Sequence, residues 1–281
     1  MRMRKLLRMS QVDERDYVLG THDEELLRLG RQHEAWREIV IDCWRRAGIG
    51  PGETVLDVGC GPGYAARDLA AVVGPRGRVV GVDQSKRFVE HAKRVNRETR
   101  LPQLTYYEGD VVTETAPGGP FAFAWCRWVA CFVPSPSDLV GKIAEALIPR
   151  GIAVFHEYSD YASWRLVPKS EPLEEFVAIV MQSWRAAGGE PDIASELPNL
   201  LTDVGFRIHA TKPHVFAARP GTPMWEWPAS FVETNLGRLL DLDYIDEAFA
   251  ASVRRELASA RDSEDALMFT PTVLEIIAQR A

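Results

Sequence analysis

The sequence has no apolar run near the roughly 18 residues that a membrane span needs. That excludes a helical membrane protein by pattern. It has only four cysteines, Cys43, Cys60, Cys126 and Cys131, and none forms a CxxC pair or stands at ligand spacing from a histidine. A disulfide framework and a zinc site are therefore not expected, and the cysteines read as free thiols in a reducing, cytoplasmic setting. After the first ten residues, MRMRKLLRMS, there is no dense basic stripe, and the formal net charge is −7. Nucleic acid as the main partner is disfavoured, because phosphate contacts supply most of such affinity. Those first ten residues lack the apolar core and small-residue cleavage site of a secretory signal and read as a mobile tail. Internal repeats and low-complexity tracts are also missing.

What is present is the composition of a globular enzyme-sized chain. Its 281 residues are 46% hydrophobic, enough for one large α/β domain with a substantial lid. Residues 32–47 carry apolar side chains at helical spacing: Ala35, Trp36, Ile39, Val40, Cys43 and Trp44. The GIGPG stretch at 48–52 stops that helix. Short β-branched runs follow at 54–58 and 78–82, with a helix from Tyr64 to Val73 between them. Ser85 is the expected N-cap of the next helix. Strands are expected at 104–109, 121–125 and 152–158, with a helix at 137–147. This βαβα alternation predicts a mainly parallel sheet with helices on both faces. Beyond 158 the alternation breaks down. A helix is expected at 172–186, strands at 206–215 and 271–280, and mostly helix at 224–262. The division that follows is an N-terminal tail and helices (1–47), a cofactor-binding core (48–158) and a remainder (159–281). The remainder contains helical lid insertions at 159–203 and 216–266. They are expected to cover the C-terminal edge of the sheet, where open α/β folds bind ligands.

The stretch VLDVGCGPG, residues 55–63, leaves a strand and opens a helix. Gly59, Gly61 and Gly63 allow a tight turn and close approach to a ligand. The pyrophosphate fingerprint is GxGxxG, whereas here the register is GxGxG and Tyr64 stands where the third glycine belongs. Asp57, two residues before Gly59, would repel a pyrophosphate. It suits S-adenosylmethionine, which has no phosphate and carries a sulfonium, an ammonium and one carboxylate. Asp83 ends the second strand 20 residues beyond Gly63, where ribose hydroxyls would need an acceptor. Gln84 is placed to lie against an adenine. Asp110 is placed to accept from the adenine amino group, and Val111 to pack on the ring.

With these motifs in order, the chain resembles the class I S-adenosylmethionine-dependent methyltransferases, near the UbiE-like small-molecule group. VLDVGCGPG resembles their first motif, GVDQS the second-strand acidic motif and EGDV the adenine motif. CRWVACFVPSP (126–136) resembles the segment after the fourth strand, and IPRGIAVFHEY (148–158) the turn and fifth strand. DYVLG (16–20) resembles a piece that closes over the cofactor, which implies contact between Tyr17 and the methionine end. The resemblance covers roughly residues 16–158. It implies a Rossmann-like fold with a seven-stranded, mainly parallel sheet and a helical lid. It departs from the family at Phe132, where many relatives have a histidine.

Other candidates follow from position. Arg127 could pair with the methionine carboxylate, with an acidic substrate, or with a surface carboxylate. His156, Glu157 and Tyr158, at the end of the fifth strand, are the candidate groups to orient or deprotonate the nucleophile. Phe132, Met224, Trp225 and Trp227 are the candidate acceptor-pocket residues, with helix packing as the competing role. The expected activity is in-line methyl transfer to a small-molecule acceptor, a metabolite or natural product. The alternatives are a non-catalytic S-adenosylmethionine-binding protein, a nucleic-acid or protein methyltransferase, or an enzyme using the cofactor without methyl transfer. No metal is expected. An exposed lid face would allow a homodimer.

Overall fold

The computed structural model describes residues 23–281. DYVLG and the Tyr17 expectation therefore lie outside the described residues, as does the basic tail. The first described element is α1 (Asp23–Ala47). The core then alternates through β1 (Thr54–Val58), α2 (Tyr64–Val73), β2 (Arg78–Asp83), α3 (Lys86–Thr99) and β3 (Leu104–Glu108). β4 (Phe121–Arg127), α4 (Pro136–Ala146) and β5 (Leu147–Asp160) follow. Next come β6 (Arg165–Val167), α5 (Glu171–Ala186), α6 (Leu197–Asp203), β7 (Phe206–His214) and β8 (Ala217–Ala218). The chain ends with α7 (Pro223–Asp241), α8 (Glu247–Arg261), β9 (Leu267–Phe269) and β10 (Thr272–Arg280).

Seven strands form one sheet in the order β3-β2-β1-β4-β5-β10-β7. The pairings β1–β2, β1–β4, β2–β3 and β4–β5 are parallel, and β10 runs antiparallel to both β5 and β7. This is the Rossmann-like arrangement, seven-stranded and mainly parallel, that the resemblance implies. The reversal of strand order after β1 opens a crevice beyond the carboxyl ends of β1 and β4, the place where such sheets bind ligands. β1 is buried at Val55, Leu56, Asp57 and Val58, as a central strand covered on both faces must be. Ser85 caps α3, its hydroxyl accepting from the Phe88 N–H at 3.3 Å.

The elements outside the sheet differ from the sequence reading in three ways. α1 begins at Asp23 rather than near 32, because its first turns bury polar residues, Glu25, Arg28 and Gln32, that an apolar stripe does not reveal. The helical stretch at 224–262 is two helices, and Asp246 caps the second by accepting from the Phe249 N–H at 2.8 Å. The region also contains a three-stranded antiparallel sheet, β6-β9-β8, whose strands of two or three residues are too short to give a period-2 signal. α1 meets α7 and the segment after β4 through tryptophans: Trp36 stands edge-on to Trp227 at 4.9 Å and to Trp128 at 5.5 Å.

Candidate cofactor-binding cleft

The glycine turn is shaped by backbone sterics. Gly59 and Gly63 have φ of +64° and +82°, and a Cβ at either would meet Val129 Cγ2 or Tyr106 Oη at 2.4 Å. Only glycine fits there. Gly61, at φ +52°, has nothing within 4 Å of where a Cβ would stand, so its free side faces open space. Asp83 fixes this turn from the neighbouring strand. Its Oδ2 accepts from the Gly61 N–H and its Oδ1 from the Ser85 N–H, both at 2.8 Å. Each carboxylate oxygen keeps a second lone pair for a ligand hydroxyl.

A cleft of about 1120 Å³, partly open to solvent, lies over this turn. It brings together Asp57, Gly59, Gly61, Asp83, Gln84, Asp110, Val111, Arg127 and Phe132, all of them candidates from the sequence. α1 adds Leu29, Gln32 and His33, and the segment after β4 adds Trp128, Val129 and Val133. Sequence reasoning missed the α1 residues. The polar interruption of an apolar helix at Gln32-His33 was the available signal.

The electrostatics are specific. Asp57 is buried, and burial is the largest influence on it, pushing its carboxyl up to about 7 against the opposing pull of Arg127. One interaction is with the Ala66 N–H in the first turn of α2, yet Oδ2 has no hydrogen-bond partner among the described residues. Arg127 is pushed down to about 10, chiefly by burial, with Asp57 opposing. Its Nη2 reaches His33 Nδ1 at 3.1 Å, while Nη1 is shielded from solvent and unpartnered. Buried polar groups of this kind are normally satisfied. An unpartnered acceptor and an unpartnered donor on one wall are the complement of an amino-acid zwitterion, and the methionine end of S-adenosylmethionine fits them.

The expectation of a general base at 156–158 is corrected by the structure, because none of the three residues lines the cleft. His156 is fully buried beneath Trp36 and Trp125, with its Nε2 on Glu275 Oε2 at 3.2 Å, and burial brings it down to about 4. Glu157 is an anchor. Its carboxylate accepts N–H bonds from Val129 at 2.7 Å, Ala130 at 2.9 Å and Cys131 at 3.4 Å, holding the segment after β4 against the sheet. The Tyr158 ring stacks on Trp128 at 5.7 Å, and burial pushes its phenol well above the ordinary range. Met224, Trp225 and Trp227 likewise do not line the cleft. Trp225 is fully buried in α7, and Trp227 stacks on Trp128 at 5.5 Å, behind the cleft wall.

Cys43, His156 and Glu275 bring ligand-type atoms within 4.8 Å of one another. Both Glu275 oxygens are already engaged by Arg46, at 2.6 and 2.9 Å, and His214 Nε2 also reaches Oε2 at 3.2 Å. The group is charge-balanced as it stands. Among the described residues, no helix is long and apolar enough to cross a membrane.

Comparison with known proteins agrees with the cleft. Residues 55–151 match the family described as a methyltransferase domain. The demethylmenaquinone methyltransferase of Oceanobacillus iheyensis is 35% identical over 129 residues, 46% of this chain and 53% of that protein. The trans-aconitate 2-methyltransferase of Methylobacterium radiotolerans is 29% identical over 156 residues, 54% of this chain and 53% of that protein. The chain thus spans about half the length of these curated relatives. Among solved structures, the [4+2]-cyclase SpnF superposes with a TM-score of 0.57 at 19% identity, over 86% of this chain and 80% of that one, a likeness of fold.

Proposed function

We propose, from the premise that residues 55–151 match a methyltransferase domain, that this protein transfers a methyl group from S-adenosylmethionine to a small molecule. The observation that carries the reading is the unpartnered pair, Asp57 Oδ2 and Arg127 Nη1, beside the glycine turn. Asp57 would hold the ammonium of the methionine end and Arg127 its carboxylate. Asp83 would accept from the ribose, Gln84 and Val111 would flank the adenine, and Asp110 would meet its amino group. The free side of Gly61 leaves room for the adenosyl backbone to approach. When bound, the cofactor supplies an electrophilic methyl on a sulfonium whose leaving group is a neutral thioether.

The residues of the chain then have a limited task. The glycine turn and the Asp57–Arg127 pair fix one reactant. Phe132, Trp128 and Val133 on the cleft wall, together with Gln32 from α1, face the space left for the acceptor. Trp227 and Tyr158 back Trp128 as parallel rings 6.5 Å apart and keep water from that side. With no titratable group from β5 reaching the cleft, catalysis rests on alignment and exclusion of water. None of residues 159–203 and 216–266 lines the cleft; Trp227 supports its wall from behind through Trp128, and the setting is cytoplasmic. A pairing of two chains through the lid face completes the reading.

Calorimetry tests the reading directly. S-adenosylhomocysteine is expected to bind in the micromolar range and NADH not at all, since Asp57 opposes a pyrophosphate. Binding of NADH with no binding of S-adenosylhomocysteine would end it. Mass spectrometry of candidate acceptors incubated with S-adenosylmethionine, with Asp83→Ala as control, then tests the transfer.

A further inference from the structure

α1 lies outside the matched segment 55–151, yet it places His33 inside the cleft, between two charged groups. His33 Nδ1 lies 3.1 Å from Arg127 Nη2, and His33 Nε2 lies 3.1 Å from Asp68 Oδ2 on α2. Asp68 is held from the other side by Arg37, whose Nε and Nη2 donate at 2.6 and 3.0 Å. The chemistry of the partners fixes the ring. A guanidinium only donates, so Nδ1 must accept and carry no proton. A carboxylate accepts, so the ring proton is on Nε2 and points to Asp68. Burial is the main cause that lowers the His33 pKa, with the Asp68 hydrogen bond opposing and Arg127 adding to it, the same direction that the hydrogen-bond partners require. Asp68, although burial opposes it, is brought to about 2 by the bonds from His33 and Arg37. Tyr64 stacks against the ring at 6.1 Å and limits its rotation.

We infer that His33 is a positioning residue for cofactor binding: it takes Arg127 Nη2 as its donor and thereby presents Nη1 to the carboxylate of the amino-acid end. This rests on the S-adenosylmethionine reading above and deepens it. Among the described residues, the Arg127 guanidinium also lies over two ring faces, Trp128 at 4.9 Å and Trp125 at 5.8 Å from the guanidinium carbon. Faces restrain the guanidinium plane but leave its rotation within that plane free. His33 Nδ1 is the contact that fixes this rotation, leaving Nη1 without a partner among the described residues. The chain Arg37–Asp68–His33–Arg127 therefore couples the N-terminal helix to recognition of one functional group of the cofactor.

Two conservative variants separate this role from a structural one. His33→Asn puts an amide near the Nδ1 place, where its oxygen can accept from Arg127 but its reach to Asp68 is lost. His33→Gln puts its amide near the Nε2 place and keeps Asp68 while losing Arg127. Dissociation constants are measured by calorimetry for S-adenosylhomocysteine and for 5′-methylthioadenosine, which lacks the amino-acid end. His33→Gln is expected to weaken S-adenosylhomocysteine about tenfold, the effect of one misdirected charged hydrogen bond, and His33→Asn less than about threefold. Both variants should bind 5′-methylthioadenosine within about twofold of the parent. Equal losses on both ligands, equal behaviour of Asn and Gln, or no loss in Gln overturns the inference. If the parent protein binds neither ligand, the cofactor reading itself fails, an outcome distinct from these.

Discussion

Asp57 offers the most direct test of the cleft's electrostatics. Its carboxyl is raised to about 7, chiefly by burial, with Asp83 adding to the rise and Arg127 opposing it. A ligand ammonium beside it favours the charged form, so binding lowers this pKa and releases a proton near neutrality. The sign follows. Affinity is full above about pH 7 and falls as the pH drops below it, because the protonated carboxyl must first ionise. If only the ionised form binds, the apparent dissociation constant rises as 1 + 10^(pKa − pH), about 30-fold between pH 8 and pH 5.5. His33, Arg127 and Asp83 face the same cleft. Arg127, at about 10, stays charged throughout that range, and burial lowers the His33 pKa from its ordinary value. Calorimetry of S-adenosylhomocysteine in buffers of different ionisation enthalpy counts the proton directly, with about half a proton or more released near pH 7. Asp57→Asn should flatten the profile and weaken binding at pH 8 by about 10- to 100-fold, the value of one charged hydrogen bond. A flat profile in the parent protein, or proton uptake near pH 7, would refute the assignment of Asp57 to a cationic group.

Further outcomes are expected. Glu157→Gln replaces an acceptor of three backbone N–H groups by a side chain with one oxygen, and at about pH 5 it should lower the unfolding free energy by about 2–4 kcal/mol. Burial raises Glu157 to about 7, so its favourable contribution is complete below about pH 4.5 and is lost as the pH rises through 7. Urea titrations should therefore show the gap between parent and variant narrowing from pH 5 to pH 8, and a widening gap refutes the sign. Gly63→Ala should destabilise by about 1–3 kcal/mol, since its Cβ would meet Tyr106 Oη at 2.4 Å at φ +82°. Gly61→Ala, with nothing within 4 Å of the added carbon, should cost about 1 kcal/mol of stability yet weaken S-adenosylhomocysteine at least about tenfold, as read by thermal melts and calorimetry.

That Asp57, Gly59, Gly61, Asp83, Asp110 and Val111 line one cleft was legible because they lie in the glycine turn and at the ends of neighbouring strands. A tight turn needs positive φ, and the carboxyl ends of parallel strands share one edge of the sheet. His156, Glu157 and Tyr158 were misread for the same reason. Position at a strand end says which edge a residue reaches, but alternation about the strand sends neighbours to opposite faces, and here burial claims all three. Met224, Trp225 and Trp227 carried two readings with one pattern, since an aromatic cluster at helical spacing serves a pocket or a core equally well.

The sequence by itself determined the α/β alternation, the glycine turn and the acidic strand ends beside it. Local sterics and short-range spacing settle these before any packing occurs. Only the tertiary structure decided the partners of the buried polar groups: His33 with Arg127 across 94 residues, Glu157 with the segment after β4, and Glu275 with His156 across 119 residues. A charge buried away from water must find a counterpart wherever the fold brings one, and no periodicity in the chain records where that is.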